Sequence, residues 1–579
     1  MRRESAVDQK VTPRRGAAVC AAAALIFAAG TLANLGVPVS APVALNANAS
    51  SDLGQDLSPR FAMDMQDHWI AVWQSTDSLG GSIGVDTDIF VSRSVNRGAS
   101  WTAPVPLNTT AGSDSSFTDR LPSISTDNAG TWIAAWECNN SLNGTIGNDQ
   151  DIVMARSTDN GQTWTAPAPV NANASIDSGN DLDAQIATDG KGVWVAAWRS
   201  LDSLSSSIGP DADILVARSV NAGTSWTFPV PLNTNAVADS GQDIRPRLGT
   251  DGAGKWIAVW QSNDTLGGSV GNDYDILYSR SADNALTWSA PLPLNSNAAS
   301  DSRDDMDPCI ATDAAGHWVV AWSSEGSLSG LGIDRDILVS RSVNDGQSWT
   351  AAGPLNANAS SDAGEDNQPS LATDRAGRWV AVWNSTENLG GGIGTDDDVL
   401  VSHSTDNGQT WSAPAALNTN AAADSGLDDQ TFVQSDARGA WIAAWHSRDS
   451  LGATIGTEGD ILFARFALPD CNQNTQADER ETDCNDNQIP DDCDIAFGTS
   501  QDSNSDGVPD ECTVSPPPCP ADCAPPRNGM VNVNDLLFII NNWAPAGGGG
   551  PADIAPATPD GAVNVVDLLA VIQAWGPCP

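Results

Sequence analysis

Residues 69–73 read WIAVW, and six further strings with a tryptophan at each end of three apolar residues follow along the chain. The seven strings begin at Trp69, Trp132, Trp194, Trp256, Trp318, Trp379 and Trp441, so successive copies start 61 to 63 residues apart. Both alternating faces of each string are apolar, which is typical of a strand buried on both sides of a sheet. One repeated architecture therefore spans most of the chain.

Three more short strands are predicted in each repeat. One precedes the tryptophan string, one follows it at positions such as Asp334 to Ser342, and a fourth has the form APVPLN at Ala103 to Asn108. Four antiparallel strands in seven copies, without helical periodicity, predict an all-β fold, a seven-bladed β-propeller. The last copy lacks a fourth strand, so we expect Pro42 to Asn46 to pair with the strand around Ile461 to Arg465 and close the ring.

The charge of the chain limits its partners. Lys and Arg total 27 against 73 Asp and Glu, a net charge of -46. This balance excludes a nucleic-acid or anionic-membrane binder that works by phosphate attraction, and it favours cations as partners.

The chain is predicted to begin with a secretory signal peptide. Basic residues precede an apolar run from Gly16 to Ala33, and a small-residue site follows at residues 39–41. We therefore expect a secreted protein, extracellular or on the cell surface, with no membrane span in the mature chain; an uncleaved anchor helix is the alternative. The predicted segments are signal peptide 1–41, propeller 42–468, acidic repeats 469–513, Pro-rich linker 514–518 and a C-terminal module 519–579.

A hairpin motif of the form S-x-[DN]-x-[GA]-x-x-W recurs between the third and fourth strands. Its copies are Ser94 to Trp101, Ser157 to Trp164, Ser219 to Trp226, Ser281 to Trp288, Ser342 to Trp349 and Ser404 to Trp411. The motif resembles the Asp-box, or BNR repeat, of the sialidase superfamily. The resemblance implies action on extracellular glycans or glycoproteins, with a Tyr nucleophile activated by a neighbouring Glu, an Asp acid/base and an Arg cluster.

Candidate catalytic residues are sought in the columns that vary between repeats, because a single active site is not seven-fold symmetric. The candidates are Glu137, Tyr274, Arg60, Arg120, Arg199 and Arg247. The alternative for each arginine is an ion pair on the surface. The sequence leaves open whether the protein is an enzyme, and strong exo-sialidase activity is not expected because Tyr274 lies between two repeated aspartates.

Acidic residues recur in the loops of every repeat. One aspartate recurs at a single position in the loops that lead from the fourth strand to the next blade, as at Asp56, and a pair recurs just before each third strand, as at Asp149 and Asp151. Such carboxylates suit a hard cation, but Asp also caps turns, and both interpretations stay open here.

The tail carries a second acidic pattern. Oxygen side chains at offsets of two and four residues resemble thrombospondin type 3 calcium repeats, and two later units resemble dockerin type I loops. The predicted Ca²⁺ ligands are Asp470, Asn472, Asn474, Asp478, Asp483, Asn485, Asn487, Asp491, Asp502, Asn504, Asp506, Asp510, Asn528, Asn532, Asp535, Asp560, Asn564 and Asp567. The dockerin resemblance implies a cohesin-like scaffold as partner.

The leading hypothesis is a secreted, sialidase-like propeller that binds or processes extracellular glycans and is displayed through calcium-dependent modules. The alternatives are a noncatalytic adhesion or surface-assembly protein and a propeller glycosidase of another class.

Overall fold

The computed structural model describes the propeller almost completely and parts of the tail. The described residues are 30–31, 38–113, 117–300, 302–326, 328, 330–467, 482, 484, 490–497, 500–502, 508–509, 512, 521, 523–524, 530–543, 552, 554 and 562–577. The chain divides into two compact units, residues 1–468 and residues 469–579.

The first unit is a seven-bladed β-propeller, as the repeat predicts. In every blade the tryptophan string forms the second strand, and both of its tryptophans are buried. Neighbouring blades pack on the two sides of this strand, which explains why it is apolar on both faces.

The strands of each blade run antiparallel in chain order. Blades 1 to 3 contain Asp56–Met63, Trp69–Ser75, Asp88–Ser94 and Val105–Pro106; Asp119–Thr126, Trp132–Cys138, Asp151–Ser157 and Ala168–Pro169; Asp181–Thr188, Trp194–Ser200, Asp213–Ser219 and Val230–Pro231. Blades 4 to 6 contain Asp243–Thr250, Trp256–Ser262, Asp275–Ser281 and Leu292–Pro293; Asp305–Thr312, Trp318–Ser324, Asp336–Ser342 and Gly353–Pro354; Asp366–Thr373, Trp379–Ser385, Asp398–Ser404 and Ala415–Ala416. Blade 7 contains Asp428–Ser435, Ala440–Ser447 and Asp460–Ala467.

The N-terminal segment supplies the missing strand of blade 7, and the predicted closure is confirmed. Val43–Ala44 pairs with the last strand of the blade, with Val43 opposite Phe463, and the Leu45 N–H donates to the Ile461 carbonyl at 2.8 Å. Pro38–Val39 continues this contact, with Val39 opposite Phe466. Gly30–Thr31 pairs in turn with Pro38–Val39.

Each first strand carries a β-bulge after its second residue. The third residue adopts a positive φ in all seven blades, although none of the seven is glycine: Ser58, Leu121, Asp183, Arg245, Asp307, Gln368 and Gln430. A bulge turns the side chain of an extra residue away from the regular alternation of the strand. These seven residues line the mouth of the central channel.

The hairpin motifs lie at the opposite end of the blades. In blade 2, Ser157 Oγ accepts from the Gly161 N–H at 2.9 Å, and Asp159 Oδ1 accepts from the Thr163 N–H at 2.9 Å. Gly161 has a φ of +74°, and a side chain there would meet Ile70 of blade 1. The Arg93 guanidinium of blade 1 donates to the Asn160 carbonyl, so the hairpin also fastens neighbouring blades.

The second unit contains short helices. Asp491–Phe497 lies in the acidic segment, where Cys484 and Cys512 form a disulfide. Val533–Asn541 and Val565–Gln573 pack together through buried Ile539 and Val571. The short strands Met530–Val531 and Gly576–Pro577 pair with each other. In the part of the chain that the structure describes, no helix is long and apolar enough to cross a membrane.

Removing the closing strand tests the ring closure. Deletion of residues 1–50 is expected to lower the melting temperature by several degrees, because it exposes the strand edge at Ile461 and removes the buried side chain of Leu45 from the core. Circular dichroism in the tryptophan region is the measurement. Deletion of residues 1–31 serves as the control and should leave the melting curve nearly unchanged; equal curves for both deletions would contradict the role of the strand.

Candidate functional site

The first strands of the seven blades surround a central channel, with a cavity of about 400 Å³ at the end where the strands begin. The bulge residues form its rim, and the residues two positions further along form a second ring. This second ring includes Arg60, Gln185, Arg247, Cys309 and Phe432. The variable column that the sequence singled out therefore lies in the channel.

Arg60 and Arg247 are the charged members of this second ring. Protein surrounds the cavity, and burial together with the nearby charge of Arg247 lowers the pKa of Arg60 to about 9. Burial also lowers the pKa of Arg247. Each guanidinium donates to the carbonyl of the proline before it, and the Arg60 guanidinium lies 5.3 Å from the centre of the Phe432 ring. Among the described residues, neither arginine makes a salt bridge.

Carboxylates also face the cavity. Asp307 is paired with Arg245, whereas Asp183 lies near enough to Arg247 to oppose the lowering of the pKa of that arginine. The Cys309 thiol is unsuited to nucleophilic chemistry, because burial raises its pKa to about 12.

Glu137 lies just behind the rim, with 3% of its surface exposed. Burial raises the pKa of its carboxyl group to about 7, while the positive charge of Arg120 opposes this shift. An Arg120 nitrogen lies 3.2 Å from Glu137 Oε1, and Asp183 and Arg199 are near enough to act on the same carboxyl group. The structure thus brings together the predicted residues Glu137, Arg120 and Arg199.

The column that contains Glu137 also has a structural role that the sequence did not reveal. The Asp183 N–H donates to Glu137 Oε2 at 3.4 Å across the blade boundary. Gln74 accepts in the same way from the Leu121 N–H, and Gln261 from the Asp307 N–H. These side chains hold the bulge of the next blade in place.

Tyr274 is placed away from these groups. Its N–H donates to Asp304 Oδ1 at 3.0 Å, and its carbonyl accepts from the Asp305 N–H at 2.7 Å. It is not among the residues lining the cavity, and the described residues provide no hydrogen bond between Tyr274 and Glu137. Tyr274 therefore makes no contact of this kind with Glu137, the other candidate for the Tyr–Glu chemistry that the resemblance implies.

A histidine–aspartate pair lies in blade 7, at the position that Glu137 occupies in blade 2. His446 Nδ1 is 2.7 Å from Asp429 Oδ1, and only 2% of the histidine is exposed. Sequence reasoning did not select this pair, although His446 stands in a variable column. The sequence feature that could have identified His446 is the variability of its position, which holds Gln, Glu, Arg, Ser or Asn in the other blades.

A cluster of carboxylates and amides lies at the junction between consecutive blades, on the same face as the cavity. At the junction of blades 2 and 3, Asn171 Nδ2 donates to Asp151 Oδ1 at 2.7 Å and to Asp181 Oδ2 at 2.8 Å. Asp149 and Asp177 complete this blade-junction cluster. Asp243, the first residue of the first strand of blade 4, also accepts from the Trp260 indole at 3.0 Å.

Burial strongly affects these acidic groups. It raises the pKa of Asp151 to about 7, and burial together with the charges of Asp149 and Asp202 raises the pKa of Asp177 to about 6. Asp213, Asp336, Asp398 and Asp460 at other junctions are shifted to the same degree and for the same reason. Many of the carboxyl groups on this acidic face are thus shielded from water.

The predicted tail ligands are described only in part. Asp470, Asn472, Asn474, Asp478, Asp483, Asn485, Asn487, Asn504, Asp506, Asp510, Asn528 and Asp560 lie outside the described residues. Of the others, Asp502 is described, Asp491 accepts from the Cys484 N–H, and Asn532 and Asn564 cap helices.

Both oxygens of Asp535 accept backbone N–H groups, from Ala524 and Asn532, and Asp567 repeats this with Ile554 and Asn564. A carboxylate that binds Ca²⁺ through both oxygens would share them with these donors. The calcium role of the tail stays a prediction.

The raised pKa values predict how stability depends on pH when cations are removed. In EDTA, the free energy of unfolding of the propeller should fall as pH rises from about 4 to about 7, because unfolded aspartates lose their protons near pH 4. The buried groups keep theirs to higher pH, so the folded state binds more protons in this window. Denaturant titrations followed by near-UV circular dichroism measure this; stability that rises across the window would contradict it.

Comparisons with known proteins find structural similarity only. No protein-family model and no curated protein matches the chain. A Hadza microbial sialidase is similar at 17% identity and a TM-score of 0.39, covering 69% of this chain and 76% of its own.

A Penicillium chrysogenum α-L-arabinanase has 15% identity and a TM-score of 0.40, covering 66% of this chain and 99% of its own. An ulvan lyase, described as a polysaccharide lyase, has 10% identity and a TM-score of 0.43, covering 73% and 95%. With TM-scores below 0.5, these similarities do not assign a function to this chain.

Proposed function

We propose that this protein is a secreted, sialidase-like propeller that binds an anionic extracellular glycan at the mouth of its central channel and processes it there. The observation that carries the proposal is the pair of arginines, Arg60 and Arg247, in the second ring of the cavity. The positive charge of Arg247 helps to lower the pKa of Arg60, and among the described residues neither arginine makes a salt bridge.

Two such guanidinium groups favour an anion between them. Their planar donor forks match a carboxylate or a sulfate, and the interaction is strengthened where protein replaces water. The rest of the molecule is acidic, with a net charge of -46, so this channel is a local reversal of sign. A cavity of about 400 Å³ is in the size range of small-ligand sites, and a sugar residue carrying one acidic group fits this class.

Glu137 is the proposed proton donor. Its carboxyl group, with a pKa of about 7, is protonated in a large fraction of molecules near neutral pH and can give a proton to a leaving oxygen. Its side chain accepts a hydrogen bond from the N–H of Asp183, a second acidic residue that lines the cavity, so Glu137 lies directly behind the rim. A noncatalytic glycan-binding protein is the second candidate, favoured by the burial of Glu137 and by its role in holding the bulge.

The tail is proposed to display the propeller. Its resemblance to thrombospondin type 3 repeats and to dockerin modules supports calcium-dependent attachment to a cohesin-like scaffold. The disulfide between Cys484 and Cys512 agrees with an exported, oxidising location.

Removing one arginine tests the anion site. Arg60→Gln or Arg247→Gln is expected to weaken binding of acidic oligosaccharides by about tenfold or more, because a hydrogen bond to a charged group contributes about 1.5–3 kcal/mol. Calorimetric titration with 3′-sialyllactose, an oligogalacturonate and a sulfated oligosaccharide, each compared with lactose, is the measurement.

Arg335→Gln is the matched control, because Arg335 lies on the same face but is paired with Glu325 outside the channel. It removes the same charge and should leave affinity unchanged. Equal affinities for all three variants, or equal binding of neutral and acidic sugars, would contradict the proposal.

Glu137→Gln separates catalysis from binding. The substitution should preserve the fold, because Gln74 and Gln261 make the same hydrogen bond in other blades. If Glu137 donates the proton, kcat falls by about 100- to 10,000-fold with little change in binding, and the wild-type rate declines as pH rises above about 7. An unchanged kcat would refute the role of Glu137 as proton donor. The proposed binding function would then stand alone.

A further inference from the structure

The blade-junction cluster has a geometry that its hydrogen bonds do not explain. At the junction of blades 2 and 3, one carboxylate oxygen from each of Asp149, Asp151 and Asp177 lies within 4.8 Å of the other two. Asp149 precedes the third strand of blade 2 and Asp151 is its first residue, whereas Asp177 lies in the loop that leads to blade 3. Three separate positions thus direct negative charge to one point.

Four oxygens of the cluster are buried without a hydrogen-bond donor among the described residues. They are Asp149 Oδ2, Asp151 Oδ2, Asn173 Oδ1 and Asp177 Oδ1. Asn173 is 2% exposed, and its amide nitrogen donates to Asp177 Oδ2 at 2.6 Å and to Asp202 Oδ2 at 2.7 Å. These two hydrogen bonds fix the side-chain amide of Asn173 next to the cluster. The amide oxygen, Asn173 Oδ1, has no donor among the described residues.

The same oxygens are without donors at other junctions. Between blades 3 and 4 the corresponding residues are Asp211, Asp213, Asn235 and Asp239; between blades 5 and 6, Asp334, Asp336, Asn358 and Asp362; between blades 6 and 7, Asp396, Asp398, Asn420 and Asp424. At the closing junction of blades 7 and 1 they include Asn48, Asp52 and Asp460. The same oxygens are left without donors at five junctions, and this recurrence points to one kind of ligand at all of them.

Turn capping explains only part of this arrangement. Asp202 caps a turn, since its Oδ1 accepts from the Leu204 N–H at 3.1 Å. Capping uses donors from the backbone, and the four buried oxygens receive none. A buried carboxylate without a donor or a counter-charge is costly, and neighbouring carboxylates increase that cost.

We propose that each described blade-junction cluster is a calcium site that fastens one blade to the next. Carboxylate and amide oxygens are the ligands of hard cations, and the negative charge of the cluster is balanced by a divalent ion. Calcium is preferred over magnesium because the ligands come from separate loops in an irregular arrangement. Magnesium demands a near-ideal octahedron and keeps most of its own water.

The proposal is tested by counting ions. Full-length protein is stripped of metal with EDTA and dialysed against a calcium-containing buffer. Its bound calcium is then measured by inductively coupled plasma mass spectrometry. Asp177→Asn is expected to bind one calcium ion fewer than the wild type. The tail is identical in both proteins, so any calcium bound there cancels in the difference.

Asp159→Asn is the matched control. It removes the same charge on the opposite face, at a hairpin position that is Asn in three of the other five motifs, at Asn96, Asn221 and Asn344. It should bind as much calcium as the wild type. Equal calcium content in Asp177→Asn, with an unchanged near-UV spectrum, would overturn the proposal.

A second measurement uses only the wild-type protein, so its result does not depend on whether a variant folds. Calcium should raise the melting temperature of the wild-type propeller relative to EDTA, followed by tryptophan circular dichroism, and magnesium should raise it less. An equal melting temperature in calcium and in EDTA would overturn the sites. An equal effect of magnesium would overturn the assignment to calcium.

Discussion

The packing of one blade against the next is the constraint on which this structure depends. At five junctions an arginine of one blade donates to a backbone carbonyl in the hairpin of the next, as Arg93 does to Asn160. At the other face, the junctions bring aspartates together, including Asp149, Asp151 and Asp177 between blades 2 and 3. Like charges in a protein interior repel unless something neutralises them. Under our proposal, a calcium ion bound at these clusters converts this repulsion into a link between blades.

The channel site is built on these junctions. Asp181 anchors the cluster between blades 2 and 3 and also opens the strand whose bulge places Asp183 at the cavity. The bulge is held from the neighbouring blade by Glu137. A blade that shifts at its junction therefore moves the rim of the cavity. This connection explains how a symmetric acidic scaffold can present two arginines, Arg60 and Arg247, in one fixed arrangement.

The sequence was sufficient for the architecture, because its repeat acts as an internal comparison. The paired tryptophans located the central strand of each blade, and the unpartnered segment at Pro42 to Asn46 located the closing strand. The site was only partly predictable. Variable columns identified Arg60, Arg247 and Glu137, but a repeat does not show what each side chain meets in the next blade. The bulge contact of Glu137, the His446–Asp429 pair and the separation of Tyr274 therefore required the structure.

The most direct test of the junction cations is anomalous diffraction from crystals of the calcium-loaded protein. The account predicts anomalous density within about 2.3–2.6 Å of the oxygens of Asp149, Asp151 and Asp177 and at the equivalent clusters. An ordered structure with the same carboxylates and no anomalous density at any junction would contradict it.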